Sequence, residues 1–376
     1  MRIGIVCYPT FGGSGVMATE LGMALADKGH EVHFITYNQP VRLDFISHRL
    51  HFHEVVLEEY PLFQYQPYEL ALSSKMVEIV EKHQLEVLHV HYAIPHAYAA
   101  YMAKKMLLDK GIHVKVVTTL HGTDITLVGS HPTYKTAVEF SINKSDEVTA
   151  VSNSLREDTL RLFNIEKDIK VVYNFIDGEK YNKEKEEECK RGALANHDER
   201  ILTHISNFRP VKRTNDVIKI FYEVQKEIPS KLLMVGDGPE RLKAENLVNE
   251  LGIGEKVLFL GNSDEVAKIL CFSDVFLLPS ETESFGLAAL EAMAAGNVVI
   301  STNSGGLPEV NIHGKTGFLS NIGDVKDMAN NAINILKDDI ALDAIKQNAM
   351  EHTSVFSLDN ILPQYESIYK KCYIKA

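Results

Sequence analysis

A chain of 376 residues exceeds what one hydrophobic core usually fills, so two domains are expected. Its 45% hydrophobic and 24% charged content is that of an ordinary globular protein. A net charge of -12 excludes a nucleic-acid partner, because phosphate-backbone binding needs a basic face.

No apolar run approaches the roughly 18–20 residues of a membrane-spanning helix, and residues 1–6 enter a strand rather than a signal segment. A cytoplasmic protein without stable membrane insertion is expected. The cysteines (Cys7, Cys189, Cys271, Cys372) form no CxxC pair and read as reduced structural thiols.

In the first half, strands are predicted at 2–8, 31–36, 87–92, 114–120, 147–151 and 170–172. Helical patterns such as 16–28, closed by Gly29, and 95–109, closed by Gly111, lie between them. After the first strand, Gly13-x-Gly15-x-x-Ala18 matches a dinucleotide fingerprint. An NAD enzyme also needs an acidic residue at the end of the next strand, and Ile35-Thr36-Tyr37-Asn38 has none. The glycines therefore read better as a loop whose backbone approaches a phosphate or an acceptor. His89, His91 and His96 lack a Cys, Asp or Glu at ligand spacing, so no metal is expected there. His48, His51 and His53 read as surface. His121 ends a predicted strand, where a side chain faces the functional edge of a sheet.

A second alternating series follows, with strands at 200–205, 231–235, 256–260, 274–278 and 298–301 and helices at 213–227, 239–251, 265–271 and 285–295. The boundary falls near 174–181, and the mixed-charge run at 183–188 reads as solvated. Asn207-Phe208-Arg209-Pro210-Val211-Lys212-Arg213 leaves the first strand of this series. Cations at a helix start oppose its dipole, which favours a functional role on a diphosphate over incidental surface charge. No Asp-x-Asp occurs, so no metal is expected on that diphosphate and no cofactor is implied. Ile361, Leu362, Tyr365, Ile368 and Tyr369 are apolar at helical spacing and could cap either domain.

The most informative stretch runs from Pro279 to Gly296. A strand ends, a polar loop carries Glu283, and a helix carries Glu291 in its second turn. The first-turn amides of such a helix suit an anionic or hydroxyl-rich ligand. A capping Glu followed by an exposed Glu would share this spacing, and spacing alone does not separate the two. A glycosidase pair must flank the anomeric carbon from opposite sides. Two carboxylates on one helix approach from one side and suit holding hydroxyls.

Pro279-Ser280-x-x-Glu283-x-Phe285-Gly286-Leu287-x3-Glu291-Ala292-Met293-Ala294 resembles the Glu-x7-Glu signature of family-4 retaining glycosyltransferases. Ser304-Gly305-Gly306-Leu307-Pro308-Glu309, Gly314–Leu319, Val235–Pro239 and Asn174–Asp177 fit the same family in order. The resemblance implies a GT-B α/β fold, two Rossmann-like domains facing across a cleft: 1–173 on the acceptor side, 174–357 binding the nucleotide sugar, and a terminal helix at 358–376 returning to the first domain. It implies donor contacts from Gly13, Asn207, Ser284, Phe285, Gly286, Leu287 and Glu291, with Glu283 on the sugar hydroxyls and Glu291 on the ribose. It also implies His121 near the anomeric centre and Lys212 on the diphosphate. The family's arginine position is Asn207 here, so Arg209 is expected to supply the second charge.

Residues 87–96, 119–126, 172–177 and 204–209 resemble the branch of that family that moves N-acetylglucosamine from UDP-N-acetylglucosamine to L-malate, opening bacillithiol assembly. Ser14, Tyr92, Thr119 and Lys135 are the candidate acceptor contacts. The alternatives are another small or lipid acceptor, or a catalytically silent sugar-nucleotide-binding protein. A homo-oligomer is compatible with all of these.

Overall fold

Short runs dominated by Val, Ile and Leu build two parallel sheets, and their burial on both faces explains why they read as continuous apolar segments rather than alternating ones. The computed structural model describes residues 1–10, 12–43, 47–57, 63, 65–181, 191–196, 198–263 and 265–374. The predicted charge run at 183–188 and Cys189 lie outside the described residues. Cys7, Cys271 and Cys372 are buried, and none of them is in a disulfide.

The chain divides into two compact units, Met1–Asn174 with Asp359–Ala376, and Phe175–Leu358. Unit 1 contains β1 (Arg2–Val6), β2 (Glu31–Thr36), β3 (Leu50–Glu54), β4 (Val87–His91), β5 (Lys115–Leu120), β6 (Glu147–Ala150) and β7 (Ile169–Val171). They form one sheet in the order β3-β2-β1-β4-β5-β6-β7, with every pairing parallel. Unit 2 contains β8 (Arg200–Ile205), β9 (Ser230–Val235), β10 (Val257–Gly261), β11 (Val275–Leu278), β12 (Val298–Thr302) and β13 (Gly317–Ser320). Their order is β10-β9-β8-β11-β12-β13, again all parallel. Both units are therefore doubly wound parallel sheets of Rossmann type.

Strand order reverses between β1 and β4 in unit 1 and between β8 and β11 in unit 2. The loops leaving those strands diverge, opening a crevice at the carboxyl edge of each sheet. The loops after β1, β4, β8 and β11 carry most of the residues singled out from sequence.

The helix Leu358–Ile374 packs into unit 1. Ile361, Leu362, Tyr365, Ile368 and Tyr369 are all buried. The Tyr369 hydroxyl lies 2.7 Å from His89 Nδ1, and Glu366 pairs with His30 at 2.9 Å.

Three local expectations need correction. The helix after β11 begins at Leu287 rather than 285, because Gly286 adopts φ +100, which no α-helix admits. The edge strands β3 and β13 escape the sequence reading: each is short, and β3 is only half buried, so its apolar signal is weak. His51 and His53 are accordingly strand residues of intermediate burial rather than surface, while His48 is exposed.

Candidate active site

In unit 2 the loop after β11 is held from three directions. Thr302 Oγ1 donates to the Ser280 carbonyl at 2.6 Å, and Ser304 Oγ to the Glu281 carbonyl at 2.7 Å. The Glu281 amide donates to the Val211 carbonyl at 2.8 Å, tying the loop to the short turn Pro210–Lys212 after β8. Gly305 packs with φ +57 against the Glu283 carbonyl, which a Cβ would approach to 2.0 Å, and the Gly306 amide donates to that carbonyl at 2.8 Å. Glycine is required there because backbone meets backbone.

This scaffold fixes the Glu283 side chain. Its Oε1 accepts from Lys212 Nζ at 2.6 Å and from Ser280 Oγ at 2.8 Å. Both partners of the ion pair are mostly buried, with side chains 21% and 13% exposed. Glu291 lies in the second turn of Leu287–Ala294, where its Oε1 accepts from the Tyr181 hydroxyl at 2.9 Å. Ser284 and Phe285 directly precede Gly286, and the Phe285 ring is buried edge-on against Phe356 at 5.6 Å. Leu287 opens the helix, so its amide lacks an intrahelical partner.

Asn207 and Arg209 are exposed in the segment that follows β8. Arg213 takes a different part: its guanidinium is clamped on Asp216 at 2.5 Å, so its charge is spent holding the helix Thr214–Glu227. Beneath the loop His204 is fully buried, bonded to the Leu277 carbonyl at 2.9 Å and to Ser206 Oγ at 2.8 Å. Burial first, then the Lys212 charge, holds its ring at about 4 against the Leu277 bond and Glu283, so it is neutral.

In unit 1 the helix Gly13–Asp27 starts right after the glycine loop. A Cβ on Gly15 would meet the Tyr8 and Thr10 carbonyls at 2.4 and 2.5 Å, so that glycine serves close packing of the turn. Gly13 opens the helix, and Ser14 Oγ shares a 2.6 Å hydrogen bond with the Tyr92 hydroxyl. Tyr92 has φ +86, a conformation costly for a residue with a side chain. His121 Nε2 and His91 Nδ1 lie 2.8 Å apart, and the Tyr92 and His121 rings stand 5.2 Å apart.

Asp124 locks these loops together. Its carboxylate accepts from the amides of Ala93 at 2.8 Å, Gly122 at 3.0 Å and His121 at 3.2 Å. Burial pushes its pKa up to about 6 despite those bonds. Burial likewise pushes His89 and His121 down to about 3 and His96 to about 4, and His91 well below its usual value. These four rings are neutral at physiological pH, suited to hydrogen bonding rather than to carrying charge.

The side chains of two acceptor candidates have other partners, although the Thr119 carbonyl accepts from the Tyr92 amide at 2.9 Å. Thr119 is fully buried, its Oγ1 committed to His89 Nε2 at 2.8 Å and Thr149 Oγ1 at 2.7 Å, which gives it a packing role in the chain leading to Tyr369. Lys135 is exposed on Pro132–Lys144, its ammonium 6.0 Å from the Phe163 ring centre. Residues missed from sequence are Tyr181, Ser280 and Asp124. Ser280 and Asp124 sat within stretches already singled out but were given no role, whereas Tyr181 reaches Glu291 from 110 positions away.

Residues 11–180 match Glycosyltransferase Family 4, and residues 185–352 match Glycosyl transferases group 1. The N-acetyl-alpha-D-glucosaminyl L-malate synthase of Bacillus anthracis is 50% identical over 98% of this chain and 96% of its own. The chain belongs to the family-4 glycosyltransferases. Among solved structures, sucrose-phosphate synthase from Thermosynechococcus elongatus superposes with a TM-score of 0.82 at 22% identity, covering 100% of both chains. Anabaena HepE in complex with UDP and glucose gives 0.82 at 19% identity, covering 98% of this chain and 99% of that one. These two likenesses establish the GT-B fold of this glycosyltransferase. Among the described residues no helix is long and apolar enough to cross a membrane.

Proposed function

We propose that this glycosyltransferase moves N-acetylglucosamine from UDP-N-acetylglucosamine to the hydroxyl of L-malate with retention at the anomeric carbon, the first step of bacillithiol assembly. The observation that carries the reading is the 50% identity, over nearly the whole of both chains, to a relative with that name.

In this reading Glu283 and the backbone of Ser284 to Leu287 hold the sugar hydroxyls, while Glu291, braced by Tyr181, holds the ribose. Lys212 and Arg209 take the diphosphate, with Asn207 beside them. A departing diphosphate gains negative charge, and fixed cations lower the barrier to its leaving. Unit 1 contributes Gly13, His121 and the hydrogen-bonded Ser14–Tyr92 pair. The bond between the anomeric carbon and the diphosphate oxygen breaks, the malate hydroxyl oxygen bonds to that carbon from the same face, and its proton passes to a diphosphate oxygen. Neutral His121 acts by hydrogen bonding to the sugar. No step calls for a metal or cofactor.

Incubation with UDP-N-acetylglucosamine and L-malate should release UDP and a glycosylated malate in equal amounts. UDP release without a malate product would overturn the acceptor. Absence of both would overturn the donor as well.

A further inference from the structure

At the outer edge of the unit 1 sheet, β2 and β3 run in parallel with His33 opposite His51 and Ile35 opposite His53. Alternate residues of a strand share a face, so Glu31 and His33 stand beside His51 and His53. The helix Tyr68–His83 ends over this same face, placing His83 against the His33 and His53 rings at 4.5 and 5.1 Å between centres. His33, His53 and His83 each bring a potential ligand atom within 4.8 Å of the others.

We infer that His33, His53 and His83 form a binding site for a divalent transition-metal ion that pins the edge strand β3 and the end of the helix Tyr68–His83 to β2. Imidazole nitrogens suit Zn2+, Cu2+ and Ni2+, and Zn2+ accepts three of them with water in a fourth position.

Several features separate this cluster from a mere stack of aromatic rings. His33 Nε2 lies 3.1 Å from Glu31 Oε1, so the ring donates there and its Nδ1 presents a lone pair. A carboxylate behind a histidine in this way fixes the tautomer and raises the ring's basicity as a ligand. That Nδ1 lies 2.8 Å from His53 Nε2, closer than two ligands of one Zn2+ need to be, so the rings part slightly as the ion enters. The His53 proton then moves from Nε2 to Nδ1 and the ring stays neutral. His83 Nε2 is buried and has no hydrogen-bond partner among the described residues, a costly state for a polar atom and one that a metal would relieve.

The cluster sits on β2, β3 and the end of the helix Tyr68–His83, whereas the unit 1 active-site loops leave β1, β4 and β5. Its role is to brace the sheet edge rather than to take part in transfer.

The test uses the full-length protein, stripped with a chelator and titrated with Zn2+ against a chromophoric competitor, and separately with Co2+ read by its visible absorption. One equivalent should bind, with Co2+ giving an intense tetrahedral spectrum. His53→Ala and His83→Ala should each weaken binding by more than the roughly 100-fold that losing a ligand's hydrogen-bond partner costs, and Glu31→Gln by about 10- to 100-fold. His48→Ala, on an exposed neighbour, should bind as wild type does. Melting curves of the stripped variants confirm that each is folded, and Glu31→Gln keeps all three ligands if an alanine variant is not. Stripped wild type that takes up no stoichiometric Zn2+, or His53 and His83 variants that bind like wild type, would overturn the site.

Discussion

Lys212 Nζ lies 2.6 Å from Glu283 Oε1, although the two residues are 71 positions apart and leave different strands, β8 and β11. Each neutralises the other in the absence of substrate. In the proposed reaction they divide: the ammonium turns to the diphosphate and the carboxylate to sugar hydroxyls. Lys212→Ala should therefore lose roughly 100-fold or more in kcat, the usual consequence of removing a group that stabilises developing charge. Steady-state assays with saturating donor provide the measurement, and near-normal turnover would remove Lys212 from the mechanism.

Tyr181 braces Glu291 through one hydrogen bond at 2.9 Å. Removing the hydroxyl in Tyr181→Phe forfeits about 0.5–1.5 kcal/mol of positioning, so KM for the donor should rise about 2- to 12-fold with kcat little changed. Glu291→Ala should raise KM further. A fall in kcat with constant KM would place Glu291 at the reacting centre instead of on the ribose.

Gly305→Ala tests the seat of Glu283. The substitution meets both a left-handed backbone, worth roughly 1–2 kcal/mol, and the Glu283 carbonyl at 2.0 Å. Unit 2 should melt several degrees lower, since about 1 kcal/mol shifts a domain of this size by roughly 2–4 °C. Activity measured well below that midpoint should still be reduced, because the loop carrying Glu283 must move. Full activity at low temperature would show that the loop tolerates displacement.

Buried histidines make stability depend on pH. His89, His96, His121 and His204 have folded pKa values of about 3 to 4, below the 6.5 of the unfolded chain. Between pH 6.5 and about 4 the unfolded chain takes up protons that the folded chain refuses, so stability is full above pH 6.5 and falls as pH falls. Asp124 works the other way: its folded value of about 6 exceeds its unfolded 3.8, so its ionisation costs stability as pH rises through that window. Four rings outweigh one carboxyl. The urea midpoint should drop between pH 7 and pH 5 as the unfolding free energy falls, by up to about 2 kcal/mol per histidine at pH 5. A midpoint that rises on acidification would contradict the neutral state of these rings.

Much of the fold is legible in the residues themselves. Buried parallel strands such as β11, Val275–Leu278, are continuous apolar runs bounded by polar or glycine-containing loops, and the alternation of strand and helix follows directly. β3 is not legible, because Leu50–Glu54 is half exposed and rich in histidine, and with it went the juxtaposition of His51 and His53 with His33 and His83. The acidic pair could be singled out from the loop around Pro279, whereas the Lys212–Glu283 contact depends on strand order, which no local pattern encodes. Thr119 shows the same boundary: a strand-end position suggests the crevice, but the side chain points inward to His89.

The return of Leu358–Ile374 to unit 1 has a consequence for synthesis on the ribosome. Everything from Phe175 to Leu358 is interposed between two parts of one core, and the segments entering and leaving it are paired where the Ile176 amide donates to the Phe356 carbonyl at 2.9 Å. The second unit can fold as it emerges, but the first waits for the last residues translated before Tyr369 can close over His89. A chain stopped short by some fifteen codons would release a finished second unit attached to a first unit with an open apolar flank, a ready target for quality-control proteases.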